Sequence, residues 1–323
     1  MDNGLLRVGG LKTYFHTFNG LVKAVDGVDF SLDEGEILGV VGESGCGKSV
    51  VGFSIIGLID APGCIESGEI RFNGVNLLDL DEREMRKIRG KEITMIFQDP
   101  MTSLNPLYTI QAQMEEVMKL HSDMNGEQRK NRCIELLDAV GISQPASRLK
   151  NFPHQFSGGM RQRVIIAIAL ASNPKLVIAD EPTTALDVTI QSQILKLMKR
   201  LVKEHRTALM LITHDLAVVS EMTDKIIVMY CGRVVEKGTR DDIIIRGRHP
   251  YTLGLLGSIP NLAARQKRLS QIPGMVPNIM HLPPGCAFAP RCDYAQEKCR
   301  AHRPDLTELV PGHAAACYYP VER

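Results

Sequence analysis

No apolar run in this chain approaches the ~20 residues that a bilayer-spanning helix requires. The longest candidate, Val164–Ala171, lies between polar segments and is far shorter. A transmembrane span is therefore excluded as the organising feature. Charge of one sign is also missing. The formal net charge is +1 over 323 residues, which argues neither for nor against nucleic acid; no nucleic-acid partner is expected. The N-terminal residues MDNGLLRVGG contain no basic stretch leading into an apolar core, so no signal peptide is expected and the chain is read as cytoplasmic. Internal repeats and low-complexity tracts are absent. Apolar residues make up 44% and charged residues 23%, ordinary values for a globular protein. The length suits a large domain with an appendage.

The chain is organised around Gly42–Ser49, GESGCGKS, which follows the apolar run Ile37–Val41 and precedes a predicted helix over Val50–Ile59. Gly, four residues, then Gly-Lys-Ser, in a strand–loop–helix setting, is the phosphate-binding P-loop pattern. Gly42, Gly45 and Gly47 allow backbone conformations that turn successive N–H groups toward an anion. Lys48 adds a point charge for the β- and γ-phosphates, and the Ser49 hydroxyl is placed for Mg²⁺. The helix that starts there presents its positive end to the phosphate.

Leu5–Phe15 and Leu21–Leu32 alternate apolar and polar residues as half-buried antiparallel strands do. Gly68–Phe72 and Val75–Leu78 flank Asn73-Gly74, a hairpin signal. Ile93–Phe97 reads as a strand ending at Gln98. Tyr108–His121 and Gly126–Val140 read as helices, and Ile134, Leu137 and Val140 mark an apolar stripe on the second. Ser157 is a good N-cap for a buried helix over Arg161–Ala171. Leu176–Ala179 is a core strand ending in Asp180-Glu181. The amphipathic helix Val188–His205 leads to a strand over Leu209–Thr213, closed by His214. The strands Lys225–Tyr230 and Arg233–Lys237 and a helix near Arg240–Ile245 complete an α/β body with a mainly parallel sheet.

Adjacent carboxylates at the end of a buried strand downstream of a P-loop form a Mg²⁺-holding Walker B site. Asp180 is assigned to the metal and Glu181 to the attacking water. Burying two carboxylates together without a cation would be costly. Gln98 and His214 each close a strand, where ligands sit in open α/β sheets. His214 is assigned to the γ-phosphate.

The P-loop, Gln98, Ser157-Gly158-Gly159-Met160, the Walker B pair, Ala185-Leu186-Asp187 and His214 come in the order of ABC-type ATPases. The chain resembles that family over about residues 5–245. The resemblance implies a RecA-like core, an antiparallel β-subdomain and a helical subdomain at about residues 100–160. It also implies ATP hydrolysis with Mg²⁺, with catalytic roles for Lys48, Gln98, Glu181 and His214. Ser49, Gln98 and Asp180 are assigned to Mg²⁺. Gly42, Glu43, Ser44, Gly45, Cys46, Gly47, Lys48, Ser49 and Val50 are assigned to the nucleotide, with Ser157, Gly158, Gly159 and Asp187 as contacts from the signature side. Met160 stands where many members have Gln. Family members form head-to-tail dimers in which each ATP lies between one P-loop and the partner's signature. An aromatic residue stacks on adenine, and spacing from Val8 and Leu11 favours Phe15, with Tyr14 second.

Two further stretches, QDPMTSLNP (Gln98–Pro106) and HPYT (His249–Thr252) with LPPGCAFAPRC (Leu282–Cys292), look like ATPase subunits of dipeptide, oligopeptide and nickel importers. That resemblance implies a second ATPase subunit, two permease subunits, an extracytoplasmic binding protein that delivers substrate, and a position on the cytoplasmic face of the membrane. The alternatives are a nickel importer or a soluble ABC ATPase uncoupled from transport.

Residues 246–323 are expected to be a small C-terminal extension. Cys286, Cys292, Cys299 and Cys317 are separated by five, six and seventeen residues. The extension shows little apolar periodicity from which to build its own core, so a staple is expected. In a reducing compartment the staple is a metal and not disulfides. Structural zinc sites use cysteine pairs two to four residues apart, and none occurs here. Four looser thiolates suit a [4Fe–4S] cluster. Zinc is the alternative, with His281, His302 and His313 as substitute ligands, and free thiols are a third reading. Cys46, Cys64, Cys133 and Cys231 are expected to be ordinary buried or loop thiols.

Overall fold

The computed structural model describes residues 4–99, 103–184, 186–258 and 271–322. In chain order the elements are β1 (Leu6–Thr17), β2 (Gly20–Leu32), β3 (Ile37–Val41), α1 (Lys48–Ile55), β4 (Gly63–Phe72), β5 (Val75–Asn76), α2 (Glu82–Ile88) and β6 (Ile93–Ile96). The helices α3 (Ile110–His121), α4 (Gly126–Ala139), α5 (Pro145–Arg148) and α6 (Gly158–Ala169) follow, and then β7 (Leu176–Asp180), α7 (Val188–His205), β8 (Ala208–Thr213) and α8 (Leu216–Met222). The chain continues with β9 (Lys225–Tyr230), β10 (Arg233–Thr239), α9 (Arg240–Ile244), α10 (Pro250–Gly257), α11 (Glu297–Ala301), β11 (Thr307–Val310) and β12 (His313–Ala315).

These elements form two compact units, residues 1–78 with 212–323, and residues 79–211. In the first unit β2, β1, β4 and β5 make an antiparallel sheet in that order. The strands β11-β12-β10-β9-β3 lie side by side; β3 and β9 are parallel, with Val40 opposite Ile227, and the pairs running to β11 are antiparallel. Every residue of β3 is buried, which explains its unbroken apolar run. In the second unit β6 and β7 are parallel, with Met95 opposite Ile178. That unit also contains the helices α3 to α6, with Val164, Ile165 and Ile166 of α6 buried. Helix α7 spans the residues that amphipathic spacing assigns to it, and buries Ile194, Leu195, Leu197, Met198, Leu201 and Val202.

Some boundaries differ from the sequence expectation. The helix after the P-loop runs over Lys48–Ile55 and ends four residues early, because Gly57 adopts a left-handed φ of 63°. The strand expected over Val75–Leu78 is two residues long before the chain turns helical at Leu77–Asp79. The C-terminal segment packs into the core of the first unit, beside Val41, Val228 and Tyr230. It adds the β11–β12 hairpin to the edge of β10 and inserts Phe288, 3% exposed, against Tyr230 and Tyr251 at centroid distances of 5.4 and 5.3 Å. Its apolar anchors are single residues far apart in sequence, so no periodicity announces them.

Candidate active site

The first unit presents the P-loop. Between β3 and α1 the chain holds Gly42, Gly45 and Gly47 at φ of 156°, 78° and 95°. Ser44 and Gly45 form the exposed tip, whereas Cys46 is 1% exposed and Lys48 5%. Lys48 Nζ donates to the carbonyl oxygens of Gly42 at 2.8 Å and Glu43 at 3.0 Å. The ammonium is thus folded back over the cradle on two neutral carbonyls, and its third contact, a weak one to Cys46 Sγ at 3.9 Å, is the one a phosphate oxygen can replace. Burial raises the pKa of the Cys46 thiol, so this residue contributes backbone and packing, with its carbonyl accepting the Gly232 N–H at 3.0 Å. Ser49 and Val50 lie in the first turn of α1.

Both aromatic candidates lie on β1. Tyr14 donates its hydroxyl to Asp26 at 2.6 Å, and burial followed by that hydrogen bond pushes its pKa up to about 12. Arg233 holds the other oxygen of Asp26 at 2.7 Å. Phe15 is half-buried, and its ring lies where a Cβ on Gly63 would come within 2.6 Å. His214 is exposed directly after β8, and the following Asp215 caps α8 by accepting the Ala217 N–H at 2.8 Å.

The second unit gathers the candidates for the metal and the attacking water. Asp180 ends β7 and is 2% exposed. Glu181 follows at a φ of 44°, a left-handed conformation unusual for a side chain of its size. One of its carboxylate oxygens accepts from Gln98 Nε2 at 3.0 Å and from Thr184 Oγ1 at 2.8 Å. Two strand ends 83 residues apart in sequence therefore converge on one carboxylate. Backbone strain at a residue fixed by two hydrogen bonds is typical of functional positions. Ser157 caps α6, its hydroxyl accepting the Met160 N–H at 3.4 Å. Gly158 and Gly159 open that helix, and a Cβ on Gly159 would meet Ile190 of α7 at 2.8 Å. Asp187 is the N-cap residue of α7 without a side-chain capping bond. Ala185, and Pro100 to Thr102 of the Gln98–Pro106 stretch, lie outside the described residues.

The four tail cysteines converge. Cys286, Cys292, Cys299 and Cys317 line one small recess with His249, Phe288 and Tyr319. Burial, and to a smaller extent the neighbouring thiols, raises the pKa of Cys286, Cys292 and Cys317, the last to about 11. No three of their sulfur atoms lie mutually within 4.8 Å. None of the proposed histidine substitutes is among the lining residues. His313 instead bonds the buried Glu236 at 2.7 Å, so its polar atom serves to pin β12 to β10. His249, which no spacing rule singles out, does line the recess. Cys46, Cys133 and Cys231 are buried and Cys64 is exposed, as ordinary thiols are.

Sequence reasoning missed Arg291 and Tyr251, which both contact Glu43 in the P-loop. Each lies inside a stretch that stood out by resemblance, PRC and HPYT, but no local pattern connects either to residue 43.

Comparison with known proteins agrees with this geometry. Residues 25–184 match the ABC transporter family model, and residues 235–299 match the model of the oligopeptide/dipeptide transporter C-terminal region. The dipeptide transport ATP-binding protein DppD of Escherichia coli (strain K12) is 50% identical over 318 residues, 98% of this chain and 97% of its own. The oligopeptide transport ATP-binding protein AppD of Bacillus subtilis (strain 168) is 51% identical over 315 residues, 97% of this chain and 96% of its own. Among solved structures, the dimeric ATP-binding cassette MJ0796 bound to ADP and Pi superposes with a TM-score of 0.65 at 30% identity, covering 73% of this chain and 98% of that one.

Proposed function

The chain belongs to the ABC transporter family of peptide-importer ATP-binding proteins, and from that premise we propose that it hydrolyses ATP to energise a membrane importer of dipeptides or oligopeptides. The observation that carries the peptide assignment is the match of its tail to the oligopeptide/dipeptide transporter C-terminal region. No helix among the described residues is long and apolar enough to cross a membrane. This agrees with a peripheral subunit that works on two permease subunits at the cytoplasmic face and pairs head-to-tail with a second ATPase. An extracytoplasmic binding protein would deliver the substrate.

In this reading the backbone of Gly42–Ser49 wraps the phosphates, and Lys48, held by the Gly42 and Glu43 carbonyls, turns the third donor of its ammonium from Cys46 Sγ to a phosphate oxygen. Ser49 on the first unit, and Asp180 and Gln98 on the second, are the groups that would hold Mg²⁺, which supplies charge neutralisation on the phosphates. Glu181, steadied by Gln98 and Thr184, orients and polarises water. His214 is directed to the γ-phosphate, Phe15 to the adenine, and Ser157, Gly158 and Gly159, with Asp187, to the nucleotide held by the partner subunit. The test is reconstitution with the permease subunits in vesicles. ATPase activity should rise when a binding protein loaded with dipeptide is enclosed, and hydrolysis indifferent to permease and peptide would overturn the assignment.

Three half-buried thiols and the buried Cys299 share the recess, and burial raises the pKa of Cys286, Cys292 and Cys317 where no cation offsets it, which supports a four-thiolate metal group there. Zinc–sulfur bonds of about 2.3 Å require all four sulfurs within ~3.8 Å of each other, whereas no three of these lie mutually within 4.8 Å. A cubane binds each cysteine at a separate iron and takes a wider set. Cys286, Cys292, Cys299 and Cys317 would hold a [4Fe–4S] cluster whose contribution is structural. Anaerobically purified protein should contain about four irons and about four sulfides per chain and lose them in Cys292→Ser. Colourless protein with stoichiometric zinc would refute this assignment.

A further inference from the structure

The P-loop is gripped from outside itself. Arg291 donates to both oxygens of the Glu43 carboxylate, Nη1 at 2.7 Å and Nη2 at 3.0 Å. The Arg291 side chain is 4% exposed. Its Nε donates to the Pro273 carbonyl at 2.9 Å, and its guanidinium lies 6.0 Å from the Tyr230 ring centroid and 5.9 Å from that of Phe288. A planar fork on a carboxylate is geometry that lysine cannot reproduce. The second grip is on the backbone. The Glu43 N–H donates to the hydroxyl of Tyr251 at 2.8 Å, and Tyr251 is wholly buried between Tyr230 and Phe288.

The peptide that joins Gly42 to Glu43 has both its polar groups engaged. Its N–H is held by Tyr251, and its carbonyl accepts Lys48 Nζ at 2.8 Å. A peptide unit is planar, so fixing one end fixes the direction of the other. The Glu43 carbonyl, the second acceptor of Lys48, belongs to the residue that Arg291 clamps. Glu43 is also an anionic side chain in a loop shaped for anions, and the guanidinium neutralises it there.

We propose that Arg291 and Tyr251 are positioning residues of the nucleotide site: they set the Gly42–Glu43 peptide and so aim Lys48 at the phosphates. The tail is then part of the ATP-binding apparatus and not an appendage to it. This rests on the reading that the loop binds ATP, and the experiment separates the two. Mg·ATP is titrated calorimetrically into the purified full-length chain, followed by steady-state hydrolysis and thermal melting. Failure of the unsubstituted chain to bind would overturn the nucleotide reading and the proposal with it.

Once the unsubstituted chain binds, Tyr251→Phe and Arg291→Lys should each raise the Kd and KM for ATP by about fivefold or more, equivalent to ~1 kcal/mol. Turnover at saturating ATP should fall far less. Arg291→Ala should do more, and its effect should shrink in a Glu43→Gln background, where the ion pair is already weakened. Melting temperatures that drop while ATP affinity stays within twofold would reduce the clamp to a structural tie and overturn the proposal. If Arg291→Ala does not fold, the two volume-conserving variants decide the matter alone.

Discussion

Gly47→Ala should cripple nucleotide binding, whereas Gly45→Ala, two residues away in the same loop, should be mild. Both glycines have left-handed φ, 95° and 78°, so either alanine incurs ~1–2 kcal/mol of backbone strain. The surroundings separate them. A Cβ on Gly45 would find nothing within 4 Å, but one on Gly47 would lie 2.0 Å from the Ala24 carbonyl oxygen. Non-bonded contacts settle near 3.5 Å, so something must move by ~1.5 Å. Ala24 is 7% exposed and lies inside β2, paired along β1, so the loop yields before the strand. Overpacking of this kind adds ~1–3 kcal/mol. A displaced cradle that loses ~2–4 kcal/mol of binding weakens ATP affinity ~30-fold to several hundred-fold, against ~5- to 30-fold if the whole strain of Gly45→Ala reached binding. Calorimetric titration of Mg·ATP into both variants, with melting curves to confirm folding, reads this directly. Equal affinities for the two would refute the claim that the Ala24 carbonyl determines the outcome.

Glu181→Gln keeps an oxygen acceptor for Gln98 and Thr184 but loses the charge that orients water, so ATP binding should persist while turnover falls ~100-fold or more; turnover within a few-fold of the parent would remove Glu181 from that role. Cys64 is exposed, and its hydrogen bond to Glu66 raises its thiol pKa, so Glu66→Gln should lower that pKa and speed alkylation near neutral pH. Iodoacetamide labelling followed by mass spectrometry measures this, and an unchanged rate would contradict the assigned cause. His313→Ala leaves the buried Glu236 with only the Arg248 and His249 N–H donors. A buried polar group that loses a hydrogen-bond partner costs ~1–3 kcal/mol, visible as a fall in melting temperature, and an unshifted melt would show that the pair does not pin β12.

What could be read in the sequence was what neighbours in the chain decide. The spacing of three glycines, Lys48 and Ser49 encodes a cradle within eight residues. The apolar period of Val188–His205 produced α7 with the same ends, because amphipathic spacing requires no partner to be recognised. Asp180-Glu181 at the end of a buried strand was legible for the same reason. Its hydrogen bond from Gln98 was not, since it depends on β6 and β7 lying in register.

The tail shows the limit most clearly. Four cysteines and their loose spacing signalled metal chemistry, but their convergence on a single recess is a property of packing. His313 looked like a ligand and is instead the partner of Glu236, a choice made where β12 meets β10. Arg291 lies 248 residues from Glu43, and the cluster of Tyr230, Tyr251 and Phe288 that carries it to the loop draws on three separate segments. Local motifs specify which atoms can do the chemistry, because they depend on a few consecutive backbone angles. Which distant side chains hold those atoms in place depends on burial shared across the whole unit, and only the folded chain decides that.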